Sequence, residues 1–224
     1  MPRLLRIAID GPAASGKGTV ARLVARRLGY AWVDTGTMYR AVALAALRRG
    51  LDLEDDPAVG ALARALHLEV AWDGDRLQVR MDGEDVTDAL RPEAIGYAAS
   101  RAAALPAVRA ALLDAQRALV ARGGVVMDGR DVGSVIVPDA ELKVFLDASP
   151  SERARRRQEE MRQRGQEIPL DQIEAEMEAR DAQDRGRDTA PLVRLPDAWY
   201  LDTTGISAEQ AADLVVAEAR TRGA

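Results

Sequence analysis

Five short apolar runs punctuate the chain: "LLRIAID", "YAWVD", "GVVMD", "LKVFLD" and "AWYLD". Each finishes on an aspartate, namely Asp10, Asp34, Asp128, Asp147 and Asp202. Apolar runs of this length, closed by polar or turn residues, read as buried strands. Helically patterned segments separate them, and such βα alternation predicts an α/β fold with a parallel sheet. Ligands of open α/β sheets sit beyond the carboxyl ends of the strands, where these five aspartates fall.

The helical segments carry their own start and stop signals. Val20, Leu23, Val24 and Leu28 recur at helical spacing, and Gly29 supplies a C-terminal stop. Ser149, Pro150 and Glu152 predict a capping box with proline in the first helical position, and Ser207 to Gln210 repeats the box before the last helix. Two stretches depart from the alternation. Residues 67–86 alternate apolar and polar positions around Asp73-Gly74 and Asp82-Gly83, which predicts a small antiparallel hairpin or meander inserted outside the main sheet. Residues 151–188 read as two charged helices broken near Gly165 and Pro169. With few large apolar residues, that pair is a solvated helical hairpin, or a mobile segment that swings arginines over a phosphate-rich site. The chain shows no internal repeat.

Composition narrows the function classes. At 224 residues the chain suits one domain with a sizeable core. A net charge of −5 provides no basic field for nucleic acid, so no nucleic-acid partner is expected. No apolar run approaches the roughly 20 residues of a membrane span, and no basic-then-apolar leader opens the chain. The absence of cysteine removes disulfides and thiolate metal sites. A cytoplasmic protein without a membrane partner is the expectation. Of 31 basic residues only Lys17 and Lys143 are lysine. A chain that writes its cations as arginine still places a lysine in one motif slot, and the two are not interchangeable at a phosphate.

That slot lies in "GPAASGKGT", Gly11 to Thr19, between the first strand and the first helix. The pattern is a P-loop, G-x-x-x-x-G-K-[ST], with Gly11, Gly16 and Lys17 in register but Gly18 where the hydroxyl belongs. Glycines let successive backbone N–H groups turn inward, the helix adds its positive end, and Lys17 reaches the outer phosphates. Thr19 follows one residue later, and its hydroxyl or a water is expected to complete a Mg2+ shell. Asp128, ending a buried strand, is the carboxylate expected to orient that ion through water.

Three further clusters carry charge near strand ends. In "DTGTMYR", Thr35, Tyr39 and Arg40 can converge on one ligand, the arginine offering a fork of donors to phosphate. In "DGRDVG", Arg130 and Asp131 follow Asp128 in a glycine-bounded turn. In the charged hairpin, Arg153, Arg156 and Arg157 lie on the first helix, and Arg180, Asp184 and Arg187 recur near the end of the second. Taken alone, these are also what a capped helix, a tight turn and a solvated charged face would contain. The only histidine, His67, opens the hairpin and reads as structural; Trp32, Trp72 and Trp199 read as strand-packing residues. Together the parts make a donor-phosphate cradle and a separate cationic patch for an acceptor. A phosphate acceptor needs no general base, because its second ionisation lies near pH 6.

Across nearly its whole length the chain resembles the bacterial cytidylate kinases of the nucleoside monophosphate kinase group. The resemblance rests on "IAIDGPAASGKGT", "DTGTMYRAVALAAL", "AASRAAALPAVRAALLDAQRA", "DGRDVGSVIVPDAELKVFLDAS", "ERARRR" and "ARDAQDRGRDTAPL". It implies an α/β P-loop fold: a doubly wound five-stranded parallel sheet with helices on both faces, a small antiparallel β insertion and a helical lid. It implies one kinase domain over 1–224, with core 1–60, 91–149 and 188–224, a hairpin insertion with the monophosphate-binding region at 61–90, and the lid at 150–187.

By motif, the resemblance implies that Gly11, Pro12, Ala13, Ala14, Ser15, Gly16, Lys17, Gly18 and Thr19 bind ATP, with Arg153 and Arg157. Thr35, Tyr39, Arg40, Arg130 and Arg187 would surround the CMP phosphate or the transferring phosphoryl group. Ser100, Arg109 and Asp131 would meet the cytosine edge, and Arg180 with Asp184 the sugar. Lys17, Arg130, Arg187 and Asp128 would be the catalytic set, and Thr19 and Asp128 the Mg2+ contacts. Thr35 and Thr37 stand where serine and alanine are frequent in the family, and Ala182-Gln183 interrupts a more charged run. The implied activity is transfer of the γ-phosphoryl of ATP to CMP and dCMP by a monomer. Two other readings stand beside it: a P-loop kinase for UMP, AMP or a small metabolite, and a non-enzymatic nucleotide switch. The switch lacks the asparagine of N-K-x-D, and its D-x-x-G match, Asp202 to Gly205, lies near the C-terminus.

Overall fold

The structure is a computed structural model that describes residues 4–73 and 76–224. The chain begins with β1 (Arg6–Asp10), α1 (Lys17–Leu28), β2 (Ala31–Asp34), α2 (Thr35–Arg48) and α3 (Asp56–Ala65). Next come β3 (Leu68–Asp73), β4 (Arg76–Met81), β5 (Glu84–Asp85), α4 (Glu93–Ala102) and α5 (Pro106–Val120). β6 (Val125–Gly129), a π-helical turn (Val132–Ile136), β7 (Leu142–Asp147), α6 (Pro150–Gln163), α7 (Leu170–Gly186), β8 (Trp199–Asp202) and α8 (Ala208–Thr221) complete it. The contacts divide the chain into two compact units: one runs to Asp34 and resumes at Leu119, the other is Thr35–Ala118. Among the described residues no helix is long and apolar enough to cross a membrane.

The first unit holds all five predicted strands in one parallel sheet of order β2-β6-β1-β7-β8. Register aligns the aspartates: Asp34 pairs with Asp128, and Asp147 with Asp202. β1 lies in the middle, and Ile7, Ala8 and Ile9 are buried in succession, as a strand covered on both faces requires. On one face Val20, Ala21, Val24 and Ala25 of α1 meet Ala211, Ala212, Val215 and Val216 of α8 over Leu5, Ile7 and Ile9. Each of the larger side chains contributes about 1.5–3 kcal/mol by leaving water. Alanines between them let the two helices lie close. Leu23 and Leu28 are only partly buried, and Gly29 ends α1 in the left-handed region at φ 69°. Arg6 braces β1 to the strand beside it by bonding Glu141 through its backbone N–H and guanidinium. Burial lifts the Glu141 pKa, but those bonds outweigh it and hold the carboxyl down at about 2.

The two predicted capping boxes differ. At α8 the box is complete: Ser207 accepts from the Gln210 N–H and Gln210 accepts from the Ser207 N–H. At α6 Ser149 accepts from the Glu152 N–H, but the Glu152 carboxylate turns to Arg155 and Arg156. The α6–α7 pair is not merely solvated. Ala154, Ile173 and Met177 form a small buried cluster, and Met161 is buried too.

The second unit packs α2 against α3 and α4. Gly60 of α3 lies so near α5 that a Cβ there would stand 2.3 Å from that of Ala107. Residues 67–86 form the expected antiparallel meander, order β3-β4-β5. The Asp82-Gly83 turn has both residues at positive φ; Gly74 of the other proposed turn lies outside the described residues. His67 is exposed there beside Glu69.

Candidate active site

The site of the first unit starts where β1 gives way to α1. The loop leaves the middle of the sheet, and Gly11 passes so near β7 that a Cβ would meet the Leu146 carbonyl oxygen at 2.0 Å. Ala14 (φ 54°) and Gly16 (φ 91°) are left-handed. Gly16 adopts that conformation at no steric cost, whereas Ala14 carries about 1–2 kcal/mol of strain. Such strain persists where the surroundings over-determine it, and it concentrates at functional sites. Gly16 is the N-cap of α1 without a side-chain cap, and the first turn holds no acidic residue. The helix N-terminus therefore presents backbone N–H groups and positive potential to an anion. Ser15 is fully buried, and its Oγ has no hydrogen-bond partner among the described residues.

Lys17 folds back over the loop, Nζ donating to the Pro12 carbonyl at 3.1 Å. Burial and then the Arg130 charge pull its pKa down to about 7, against the opposing pull of Asp128. Asp128 is buried, and its pKa is pushed up to about 7 by burial first and by the Asp34 carboxylate next. A cation between these strand ends would favour the charged carboxylate and so offset both causes. Trp32 Nε1 donates to Asp128 Oδ1 at 2.6 Å. The other oxygen, Oδ2, lies 3.6 Å from where Gly18 would carry a Cβ. Gly18 thus stands against this carboxylate. Thr19 instead lines a cleft of about 400 Å3 with Gly16, Arg155, Arg156, Thr203 and Ser207.

Behind the loop stands the α6–α7 hairpin. Arg153, buried, donates Nη1 to the Ala13 carbonyl at 3.0 Å and to Asp181 Oδ2 at 2.6 Å, and Nε to the Ala148 carbonyl at 3.2 Å. Asp181 Oδ1 accepts from the Ala13 N–H at 3.3 Å. Arg156 donates to the Ser15 carbonyl and to Thr203. Arg157 pairs with Glu160 on its own helix.

Arginines gather on Asp184, which is nearly buried. Arg130 Nε donates to it at 2.7 Å, and an Arg187 nitrogen lies 3.9 Å from its other oxygen. Burial raises the Asp184 pKa, but Arg130, Arg187 and Arg180 together bring it below the usual carboxylate range. Asp131, also buried, stands at the start of the π-helical turn that follows, its backbone carbonyl accepting from the Val135 and Ile136 N–H groups. Asp10 accepts from the Val132 and Gly133 N–H groups at 2.8 Å each, so this strand-end aspartate holds the same turn in place.

In the second unit Thr35 and Tyr39 lie buried in the first turns of α2, with Arg40 half-buried beside them. Arg109 of α5 sits over the Tyr39 ring, 5.5 Å from its centroid, and donates to the Ala103 carbonyl. Ser100 is half-buried on α4. Sequence spacing had no means of joining Arg109 to Tyr39, since their helices meet only in the fold. Trp32 and Asp181 were missed as well. Trp32 was legible in principle: it lies two residues before Asp34, on the same strand face, beside the strand that carries Asp128.

The profile of the family described as cytidylate kinase matches residues 7–221. A cytidylate kinase of Pelotomaculum thermopropionicum is 48% identical over 212 residues, 94% of each chain. One of Geobacillus kaustophilus is 46% identical over 216 residues, 96% of each chain. An uncharacterized protein from Eubacterium ventriosum of solved structure shares the fold at TM-score 0.55 and 10% identity, over 97% of this chain and 99% of that one. With the profile matched almost end to end and such identity over nearly the full length, the chain belongs to the cytidylate kinase family.

Proposed function

We propose that this chain transfers the γ-phosphoryl group of ATP to CMP, and to dCMP, giving ADP and the nucleoside diphosphate. The observation that carries the reading is the loop from Gly11 to Thr19: an uncapped helix N-terminus behind two left-handed residues, with Lys17 and Asp128 beside it. In the chain's own residues, loop N–H groups and Lys17 hold the donor phosphates, and the cleft beside Thr19 takes the rest of the nucleotide. Arg130 and Arg187 offset the charge of the transferring group. Candidates for the monophosphate are Thr35, Tyr39, Arg40, Ser100 and Arg109 in the second unit and, taken separately, Asp131, Arg180 and Asp184 in the first. A phosphate nucleophile is already ionised near pH 7, so positioning and charge neutralisation suffice.

Mg2+ fits the donor site. Among the described residues no group of three or more His, Cys, Asp or Glu side chains makes a metal cage. This suits an ion that keeps several waters and binds through one or two carboxylates plus phosphate oxygens. Asp128, crowded by Asp34, is the residue to hold it, with water filling the place that Gly18 leaves without a hydroxyl. When bound, Mg2+ supplies charge neutralisation at the donor phosphates.

The reading is tested by incubating the purified chain with ATP, Mg2+ and each common nucleoside monophosphate, following ADP release. The highest kcat/KM is expected for CMP or dCMP. A panel led by UMP, AMP or a metabolite would replace the acceptor while leaving the donor site standing.

A further inference from the structure

The Ala13 peptide of the glycine loop is held at both ends by the charged hairpin. Its N–H donates to Asp181 of α7, and its carbonyl accepts from Arg153 of α6. The two side chains close the circuit with a 2.6 Å ion pair, their exposures only 4% and 8%. On the next residue, left-handed Ala14, the buried hairpin cluster of Ala154, Ile173 and Met177 packs directly. One residue further, the Ser15 carbonyl accepts from Arg156. Three consecutive loop residues are therefore fixed from behind by one element. Nothing in direct phosphate binding calls for Asp181, because a carboxylate repels phosphate. A buried ion pair is also weak as a stability device, since desolvation offsets most of its attraction. The bonds to Ala13 and the packing on Ala14 instead bracket a backbone conformation that alanine seldom adopts.

We propose that Asp181, acting with Arg153, is a positioning residue of the donor site. The docked hairpin imposes the turn at Ala14 and so aims the loop N–H groups at the phosphates. Hairpin docking and donor binding then stabilise one another, as linkage requires. The inference rests on the donor role proposed above for this loop.

Asp181→Ala, Asp181→Asn, Arg153→Ala and the double variant are compared with the parent chain. The readouts are initial rates with ATP and CMP varied in turn, and calorimetric titration with ADP alone. Asp181→Ala is expected to raise the KM for ATP and the Kd for ADP about tenfold, the size of one lost charge-assisted hydrogen bond. The KM for CMP stays within about twofold, and the double variant loses no more than the worse single one, as members of one network do. ATP and ADP constants unmoved in Asp181→Ala and Asp181→Asn, or KM values for ATP and CMP rising together, overturn the proposal. Should Asp181→Ala fail to fold, the near-isosteric Asp181→Asn decides by the same limits. Should the parent chain phosphorylate no monophosphate, the reaction proposed above falls, and the ADP titration still supports or overturns the role of Asp181.

Discussion

Trp32 spends its indole N–H on one oxygen of Asp128, at 2.6 Å, and thereby decides which oxygen faces the glycine loop. A metal-orienting carboxylate is only as well placed as the groups that hold it, and loss of such support costs about 10–100-fold in metal affinity. Trp32→Phe keeps the ring in the strand and removes only the donor. The Mg2+ concentration for half-maximal turnover is expected to rise about tenfold, with the KM for CMP nearly unmoved. Titration of turnover against Mg2+ at saturating nucleotides checks this; an unchanged midpoint leaves Trp32 a packing residue and nothing more.

The sheet was legible because a strand covered on both faces must be apolar throughout and can turn polar only at its end. The aspartates closing the five runs mark that edge, and the structure aligns Asp34 with Asp128 and Asp147 with Asp202. The donor loop was legible for a similar reason, since its glycines answer a local backbone demand. The hairpin was harder. Met161, Ile173 and Met177 are spread thinly among arginines and glutamates, so their shared burial leaves no clear period. Nor does sequence separate Arg153, which braces the loop backbone, from Arg155, which lies exposed two residues on. Both are arginines on one helix; only the fold turns one inward.

The two glycines flanking the loop make a contrast. Gly11 has no room: the nearest atom to an added Cβ is a backbone oxygen of β7 at 2.0 Å, which moves only with the strand. Gly18 has ordinary van der Waals space, 3.6 Å to Asp128 Oδ2, and its φ is not positive. Gly11→Ala is expected to cost about 1–3 kcal/mol through forced backbone displacement, seen as a lower denaturation midpoint and weakened ADP binding. Gly18→Ala is expected to melt within about 0.5 kcal/mol of the parent, as unstrained substitutions do. Equal losses at the two positions would refute the steric account.

Lys17 sets function against stability. Its ordinary pKa is 10.5, and in the fold burial and Arg130 draw it down to about 7. The unfolded chain therefore binds the extra proton between pH 7 and 10.5, and stability from this group rises with pH across that window. It is complete above the unfolded value and lost as pH falls through the folded one. Below pH 7 the folded chain must hold a half-buried ammonium with arginines nearby, whereas methionine fills the space without charge. Lys17→Met is thus expected to melt above the parent at pH 6, with the gap closing toward pH 10. Its turnover should fall by about a hundredfold or more, the scale for losing a preorganised donor at a developing charge. Melting curves across pH, beside ADP release at saturating ATP and CMP, test both halves. A variant less stable than the parent at pH 6 would show that Asp128 and Pro12 more than repay the burial of Lys17. One with parental turnover would remove the lysine from the chemistry.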